Sequence, residues 1–258
     1  MKVLVIGSTG MLGHIMCHVL DAKHEVYGVS SKDGDLSEKR NIDALAETLI
    51  RYDAVINCCG MLRQRLPKKP SCNEMLRTFM LNSYLPQRLA DKCNLIHIST
   101  DCVFSGRNGP YLESDLPDAQ DIYGRTKMIG DPEDCLVLRT SIIGPERERK
   151  LGLYEWFMAE SEVNGFTKHY WNGMTTKQLS LCVLQALNKM LHKEQMLRHV
   201  WSNTVSKYEL LELFNKHRTE KAIIHPVETE EVNRCLGTQY EKIFDVPPLD
   251  QQIQEMMD

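Results

Sequence analysis

The sequence lacks the marks of several common protein classes. Its nine cysteines contain no C-x-x-C pair, and an odd count does not complete a disulfide framework. No apolar run approaches the roughly 20 residues needed to span a bilayer. The opening MKVLVIG reads as a strand rather than a secretory leader. Charge of neither sign is in large excess: net charge is −4 and the pI about 6.2, which gives no electrostatic case for nucleic acid or an anionic membrane surface. Internal repeats, low-complexity tracts and flexible linkers are missing as well. His14, His18 and His24 have no metal-ligand spacing, so no metal is expected. What remains is a cytoplasmic chain with reduced thiols. Cys58, Cys59, Cys93, Cys135 and Cys182 sit in apolar runs, where cysteine acts as a small hydrophobe. At 258 residues the chain can bury a large core, as one domain or as a domain with a smaller lobe.

The first half alternates short β-rich runs with helix-length segments. KVLVIG precedes MLGHIMCHVLDA, HEVYGV precedes RNIDALAETLIRY, and DAVINCCG precedes NEMLRTFMLNSYLPQRLADKC. NLIHIST, a helix from about Tyr123, and CLVLRTSIIG follow. This rhythm predicts a doubly wound parallel sheet of the Rossmann type. VLVI and LIHI, apolar at every position or nearly so, fit strands covered by helices on both faces. After about Gly144 the pattern changes: PERERKLG reads as a charged surface loop, and the later helices LYEWFMAESE, TTKQLSLCVLQALNKML and SKYELLELFNKH read as a smaller α/β lobe. HVWSN and AIIHPV are its strand candidates. We therefore divide the chain into 1–145, a nucleotide-binding domain, and 146–258, a substrate-binding lobe whose segments are free to return to the first sheet. Trp156 and Trp201 read as core residues of the second half, and RQRLPKK (63–69) as solvated loop charge.

GSTGMLG spaces Gly7, Gly10 and Gly13 as G-x-x-G-x-x-G between the first strand and the first helix. Such a turn lets backbone N–H groups approach a pyrophosphate at a helix N-terminus. Gly7, Thr9, Gly10, Met11, Leu12 and Gly13 are thus the expected cofactor-binding residues. The end of the second strand bears on which dinucleotide binds. Ser30, Ser31 and Lys32 offer two hydroxyls and a cation for a 2′-phosphate, which favours NADP; Asp33 nearby argues for NAD. Asp35 and Leu36 are expected near the adenine, and Cys58, Cys59 and Gly60 are expected to approach the cofactor through their backbone.

STDCVFSG (99–106) puts hydroxyls, a carboxylate and a thiol where a buried parallel strand ends, a common place for a site. YGRTK then sets Tyr123 and Lys127 one helical turn apart. A lysine ammonium beneath a tyrosine favours its phenolate and lowers its pKa from about 10.

With these motifs the chain resembles the extended short-chain dehydrogenase/reductase superfamily, and within it the dTDP-4-dehydrorhamnose reductase family. The residues that carry the likeness are GSTGMLG, STDCVFSG, GPYLESDLPDAQDIYGRTK (109–127) and LRTSIIG (138–144). WNGMTTKQL (171–179) and SKYELLEL (206–213) extend it loosely into the second half. The resemblance implies NADPH-dependent reduction of a nucleotide-linked 4-keto-6-deoxysugar, with Thr100 as the catalytic hydroxyl, Tyr123 as the proton donor and Lys127 as the cofactor-holding lysine. Trp171 and Asn172 would line the sugar pocket, and a homodimer is left open.

Cys102 departs from the rhamnose reductases, which usually carry tyrosine there, and is similar to the GDP-fucose synthases, which epimerise as well as reduce. The likeness raises coupled epimerisation at C3 or C5, with Cys102 as a base once cations or a helix end favour its thiolate. His169, in GFTKHYWNG (165–173), is the corresponding acid. The same residue places the chain away from 4,6-dehydratases, which carry an acidic residue in that position. A different class also shares these motifs: the non-catalytic regulatory subunits of methionine adenosyltransferase, which retain the nucleotide fold.

Overall fold

The computed structural model describes residues 1–147 and 150–257. Five parallel strands form the first sheet in chain order: β1 (Lys2–Ile6), β2 (Glu25–Val29), β3 (Ala54–Asn57), β4 (Leu95–Thr100) and β5 (Leu136–Thr140). A sixth strand, Met196–His199, comes from the second half and pairs in parallel with β5, Met196 opposite Leu136. Across the sheet the order is this strand, β5, β4, β3, β1, β2. Chain order runs outward in both directions from the gap between β1 and β3, so their C-terminal ends frame the switch-point crevice where ligands bind in such sheets.

Val3 to Ile6 of β1 are all buried and their side chains alternate between the two faces, as a doubly covered strand requires. Val3 and Val5 pack with Met16 of α1 (Gly13–Asp21) and with Leu179 and Val183 of the helix Thr176–Asn188. Leu4 and Ile6 face the other way, onto Ile42 of α2 (Lys39–Ala46) and Leu85 and Leu89 of α4 (Leu85–Ala90). Each fully buried aliphatic side chain contributes about 1.5–3 kcal/mol, and these two layers make the sheet the rigid part of the molecule. The helix Thr176–Asn188, read from sequence as part of the smaller lobe, thus packs beside α1 against the first sheet. Its apolar residues Leu179, Cys182, Val183 and Ala186 lie on one face and are fully buried there.

A second core gathers Phe157, Trp171, Leu210, Phe214, Leu249 and Ile253. Over it lies a small sheet of Val205–Ser206, His169–Trp171 and Val232–Asn233, and beside it the parallel pair Glu162–Phe166 and Ile223–Val227. Two sequence expectations change here. Trp156 is 41% exposed rather than core, because Phe157, its neighbour on the helix Leu153–Ala159, takes the inward position. The strand expected at HVWSN lies earlier, at Met196–His199, leaving Trp201 partly buried against Phe104 and Tyr111. The loop PERERKLG contains residues 148 and 149, which lie outside the described residues. All nine cysteines are free thiols. Among the described residues no helix is long and apolar enough to cross a membrane.

Candidate active site

The glycine turn closes directly onto the end of β3. Gly7 has φ +82°, and a Cβ there would meet the Cys59 nitrogen at 3.0 Å; one on Gly13 would fall 2.0 Å from the Gly7 carbonyl oxygen. Side chains at either position would fill the space over the turn. The N-cap of α1, Leu12, offers no side-chain cap, so apart from the His14 N–H, which donates to the Gly10 carbonyl at 3.2 Å, the first turn of the helix can present N–H groups to an anion. Together these features fit a dinucleotide pyrophosphate. Thr9 is exposed, Gly10 and Met11 are partly buried in the turn, and Leu12 is buried beneath it.

At the end of β2 the Ser30 amide and hydroxyl both donate to one Asp33 carboxylate oxygen, at 2.8 and 3.0 Å. These bonds hold the Asp33 carboxyl below its ordinary pKa, so it stays charged beside the exposed Ser31 and Lys32. Asp35 pairs with Arg77 at 2.9 Å. Leu36, expected near an adenine, is only 8% exposed and belongs to the core beside Ile6 and Ile42. At the end of β3, Cys58 and Cys59 are partly buried and their thiols are pushed up by burial, Cys59 to about 11. A Cβ on Gly60 would lie 3.1 Å from the Asn82 side-chain oxygen.

β4 ends in the hydroxyl of Thr100, which donates to Asp101 at 3.1 Å and accepts from the Cys102 amide at 3.1 Å. The helix α5 (Ile122–Ile129), capped by Asp121, brings Tyr123 against this turn. Gly124 makes the approach possible: a Cβ there would stand 2.4 Å from the Cys102 carbonyl oxygen. Burial dominates the Tyr123 phenol and holds its pKa above the ordinary value of 10, with the Thr100 hydroxyl pulling the other way. Lys127 is 5% exposed and donates to the Ile98 carbonyl at 2.9 Å, with His97 Nε2 at 3.4 Å. Burial, rather than the Lys127 charge to which the sequence pointed, is the leading influence on the phenol in this structure.

Beneath Lys127 lies a polar chain that sequence reading missed. His97 Nδ1 meets the Asn57 amide at 3.1 Å, and its Nε2 lies 3.8 Å from Asp131, which pairs with Arg139 at 2.8 Å. Burial and the Lys127 charge hold His97 far below its usual pKa, so its ring is neutral. Asn82 was missed as well. The single helix expected over NEMLRTFMLNSYLPQRLADKC instead carries a π-helical turn at Met80–Tyr84 between α3 (Cys72–Phe79) and α4. That turn aims Asn82 at the Met61 backbone, with bonds of 2.7 and 3.2 Å, and at the Thr126 hydroxyl, 3.2 Å. A polar residue mid-helix in an otherwise apolar face was the available signal.

The remaining expected residues divide. Burial and Asp101 push the Cys102 thiol up to about 12, outweighing Arg234, so the expectation of a cation-favoured thiolate is not met in this site. His169 accepts or donates at 2.9 Å with the Thr229 hydroxyl and is held below its ordinary pKa by burial and by Lys207 and Arg234. Trp171 is 4% exposed and part of the second core. The Asn172 side chain is fully engaged with the Leu236 backbone, at 2.8 and 3.0 Å. Trp171 thus packs inward beside Val205, and Asn172 ties the end of the small sheet to the segment after Val232.

A family model described as RmlD substrate binding domain matches residues 1–237. The chain belongs to this family. It is 31% identical over 154 residues to a dTDP-4-dehydrorhamnose reductase of Mycolicibacterium smegmatis, an alignment covering 54% of this chain and 45% of that protein. It is also 28% identical over 162 residues to methionine adenosyltransferase 2 subunit beta of Bos taurus, covering 57% of this chain and 48% of that one. The chain spans about half the length of the curated relatives it matches. In three dimensions it resembles the crystal structure of a dTDP-4-dehydrorhamnose reductase from Bacillus anthracis in complex with NADP. The TM-score is 0.80 at 18% identity, over 99% of this chain and 98% of that one, which is a likeness of fold.

Proposed function

We propose that this RmlD-family chain is an NADPH-dependent reductase of a nucleotide-linked 4-keto-6-deoxysugar, UDP- or dTDP-linked and rhamnose-type or N-acetylated, acting in deoxysugar biosynthesis. The observation that carries the reading is the convergence of Thr100, Tyr123 and Lys127 at the end of β4, beside the glycine turn. Similarity to the reductase relatives and the NADP named with the Bacillus anthracis structure support the cofactor and the substrate class. NADPH, when bound, supplies the hydride for C4. The Thr100 hydroxyl hydrogen-bonds the ketone oxygen, and Tyr123, kept protonated by burial, gives its proton to the forming alkoxide. Lys127, anchored to Ile98, holds its ammonium beneath the tyrosine.

Coupled epimerisation would need Cys102 as a thiolate, and a thiol held at about 12 favours reduction alone. The test is incubation with NADPH and a panel of UDP- and dTDP-linked 4-keto-6-deoxysugars in D₂O, with product NMR. Consumption of NADPH with no solvent deuterium at C3 or C5 is the expected result. Deuterium at either carbon would establish the exchange chemistry. The likeness to methionine adenosyltransferase 2 subunit beta supports a second reading, a non-catalytic NADP-binding regulatory subunit. NADP binding without turnover on any member of the panel would favour it.

A further inference from the structure

One buried group beneath the site has no task in the reduction just described. His97 lies within β4, opposite Asn57 of β3 in the parallel register, and both are buried. Its ring stands between two opposite charges. The same nitrogen, Nε2, is 3.4 Å from the Lys127 ammonium and 3.8 Å from the Asp131 carboxylate oxygen Oδ1. Arg139 takes the other oxygen of that carboxylate at 2.8 Å, while Oδ1 is buried and accepts no hydrogen bond. Lys127 in turn forms no ion pair among the described residues, and its short hydrogen bond runs to the Ile98 carbonyl.

The neighbours of this ring locate its proton. The Cys59 amide donates to Asn57 Oδ1 at 3.0 Å, which fixes the oxygen end of the Asn57 side chain. The Nδ2 end therefore faces His97 Nδ1 at 3.1 Å and donates to it. A neutral ring that accepts at Nδ1 carries its proton on Nε2. That N–H turns a favourable dipole to Asp131 and offers Lys127 no lone pair. A lysine ammonium is a donor only, with three hydrogens. One is used at Ile98 and the ring accepts neither of the others, so both are left for the cleft. Without the ring, a buried ammonium and a carboxylate with a free oxygen would attract strongly at low local dielectric and close on each other.

We propose that His97 is a positioning residue of the site: clamped by Asn57 with its proton on Nε2, it keeps Lys127 apart from Asp131 and leaves the ammonium to the cofactor and Tyr123. The inference rests on the reading of Lys127 as the cofactor-holding lysine and extends it one layer down. Asn57 acts through His97, and the Cys59 amide acts through Asn57. The end of β3, expected to meet the cofactor through its backbone, thereby also sets the lysine behind it.

Long-range proton–nitrogen NMR of the NADP-loaded, isotopically labelled chain reads the tautomer directly, with the His97 signals identified by their loss in His97→Ala. The wild type should show the Nε2–H form at His97. Asn57→Asp, which sets an acceptor opposite Nδ1, should place a proton on Nδ1. An Nδ1–H or doubly protonated His97 in the wild type, or no change in Asn57→Asp, overturns the proposal. Kinetics and NADPH titration test the spacing. His97→Ala should let Lys127 close on Asp131, weakening NADPH and lowering kcat/KM on the order of 10²-fold. Asp131→Asn removes the charge and keeps an acceptor for Arg139. Added to His97→Ala, it should recover about tenfold or more of the loss, the worth of one charge-assisted hydrogen bond. A folded double variant no better than His97→Ala overturns the spacing role, since a residue that only packs would not be rescued by removing a carboxylate. His97→Val, paired in the same way, serves if the alanine variant does not fold. A wild type that binds NADPH but reduces no keto sugar overturns the reductase reading, while the tautomer and the NADPH titrations still judge the placement of Lys127.

Discussion

Gly124→Ala tests whether the docking of α5 is what makes the site. The added Cβ would sit 2.4 Å from the Cys102 carbonyl oxygen and 2.5 Å from the Ala119 side chain. Ordinary contact begins near 3.4 Å, so the helix must withdraw by about 1 Å or the turn after Thr100 must open by as much. Neither partner is a flexible side-chain end, since one is backbone and the other a methyl carbon on the loop before the helix. Overpacking of this kind costs about 1–3 kcal/mol of stability. A displacement of about 1 Å at a catalytic group can cost on the order of 10²-fold in rate. The helix carries Tyr123, while the glycine turn lies on β1 and α1 and does not move with it. The variant should therefore bind NADPH normally, unfold at lower urea concentration, and lose turnover out of proportion to its loss of stability. Cofactor fluorescence, urea denaturation and steady-state kinetics measure the three quantities. Wild-type turnover in a folded Gly124→Ala protein would refute the argument that close packing of α5 on the Cys102 turn sets the geometry.

Two other outcomes follow from the cofactor end and the buried polar chain. Lys32→Ala should weaken NADPH more than NADH, because only NADPH carries the 2′-phosphate; equal losses in titrations with both would reduce Lys32 to a loop charge. Asp131→Ala should destabilise by about 3–5 kcal/mol in urea denaturation, because it strands the Arg139 cation, which is 4% exposed; a loss below about 1 kcal/mol would mean that His199, 3.3 Å from the Arg139 guanidinium, compensates.

The parallel sheet was legible because its strands are apolar on two faces and its helices on one, a pattern that local sequence displays directly. Gly7, Gly13 and the Tyr123–Lys127 spacing were legible for a similar reason: each encodes a local geometry. Other features depend on contacts far along the chain. The π-helical turn at Met80–Tyr84 is held by Asn82 reaching Met61 and Thr126, which no window around residue 82 contains. Leu36 sits only a few residues past Lys32, yet the fold turns it into the core under β1 while Lys32 stays in solvent. Cys102 was read by likeness to an activated thiol, whereas its state is set by enclosure and by Asp101.

The most direct test of the account compares wild type with Tyr123→Phe on a 4-keto sugar nucleotide that the wild type reduces, following NADPH consumption and, separately, NADPH binding. The phenol is the proton donor in this account, and its removal leaves the fold and the glycine turn intact. Turnover should fall on the order of 10²-fold or more with NADPH affinity retained. Near-wild-type reduction by Tyr123→Phe would contradict the central claim.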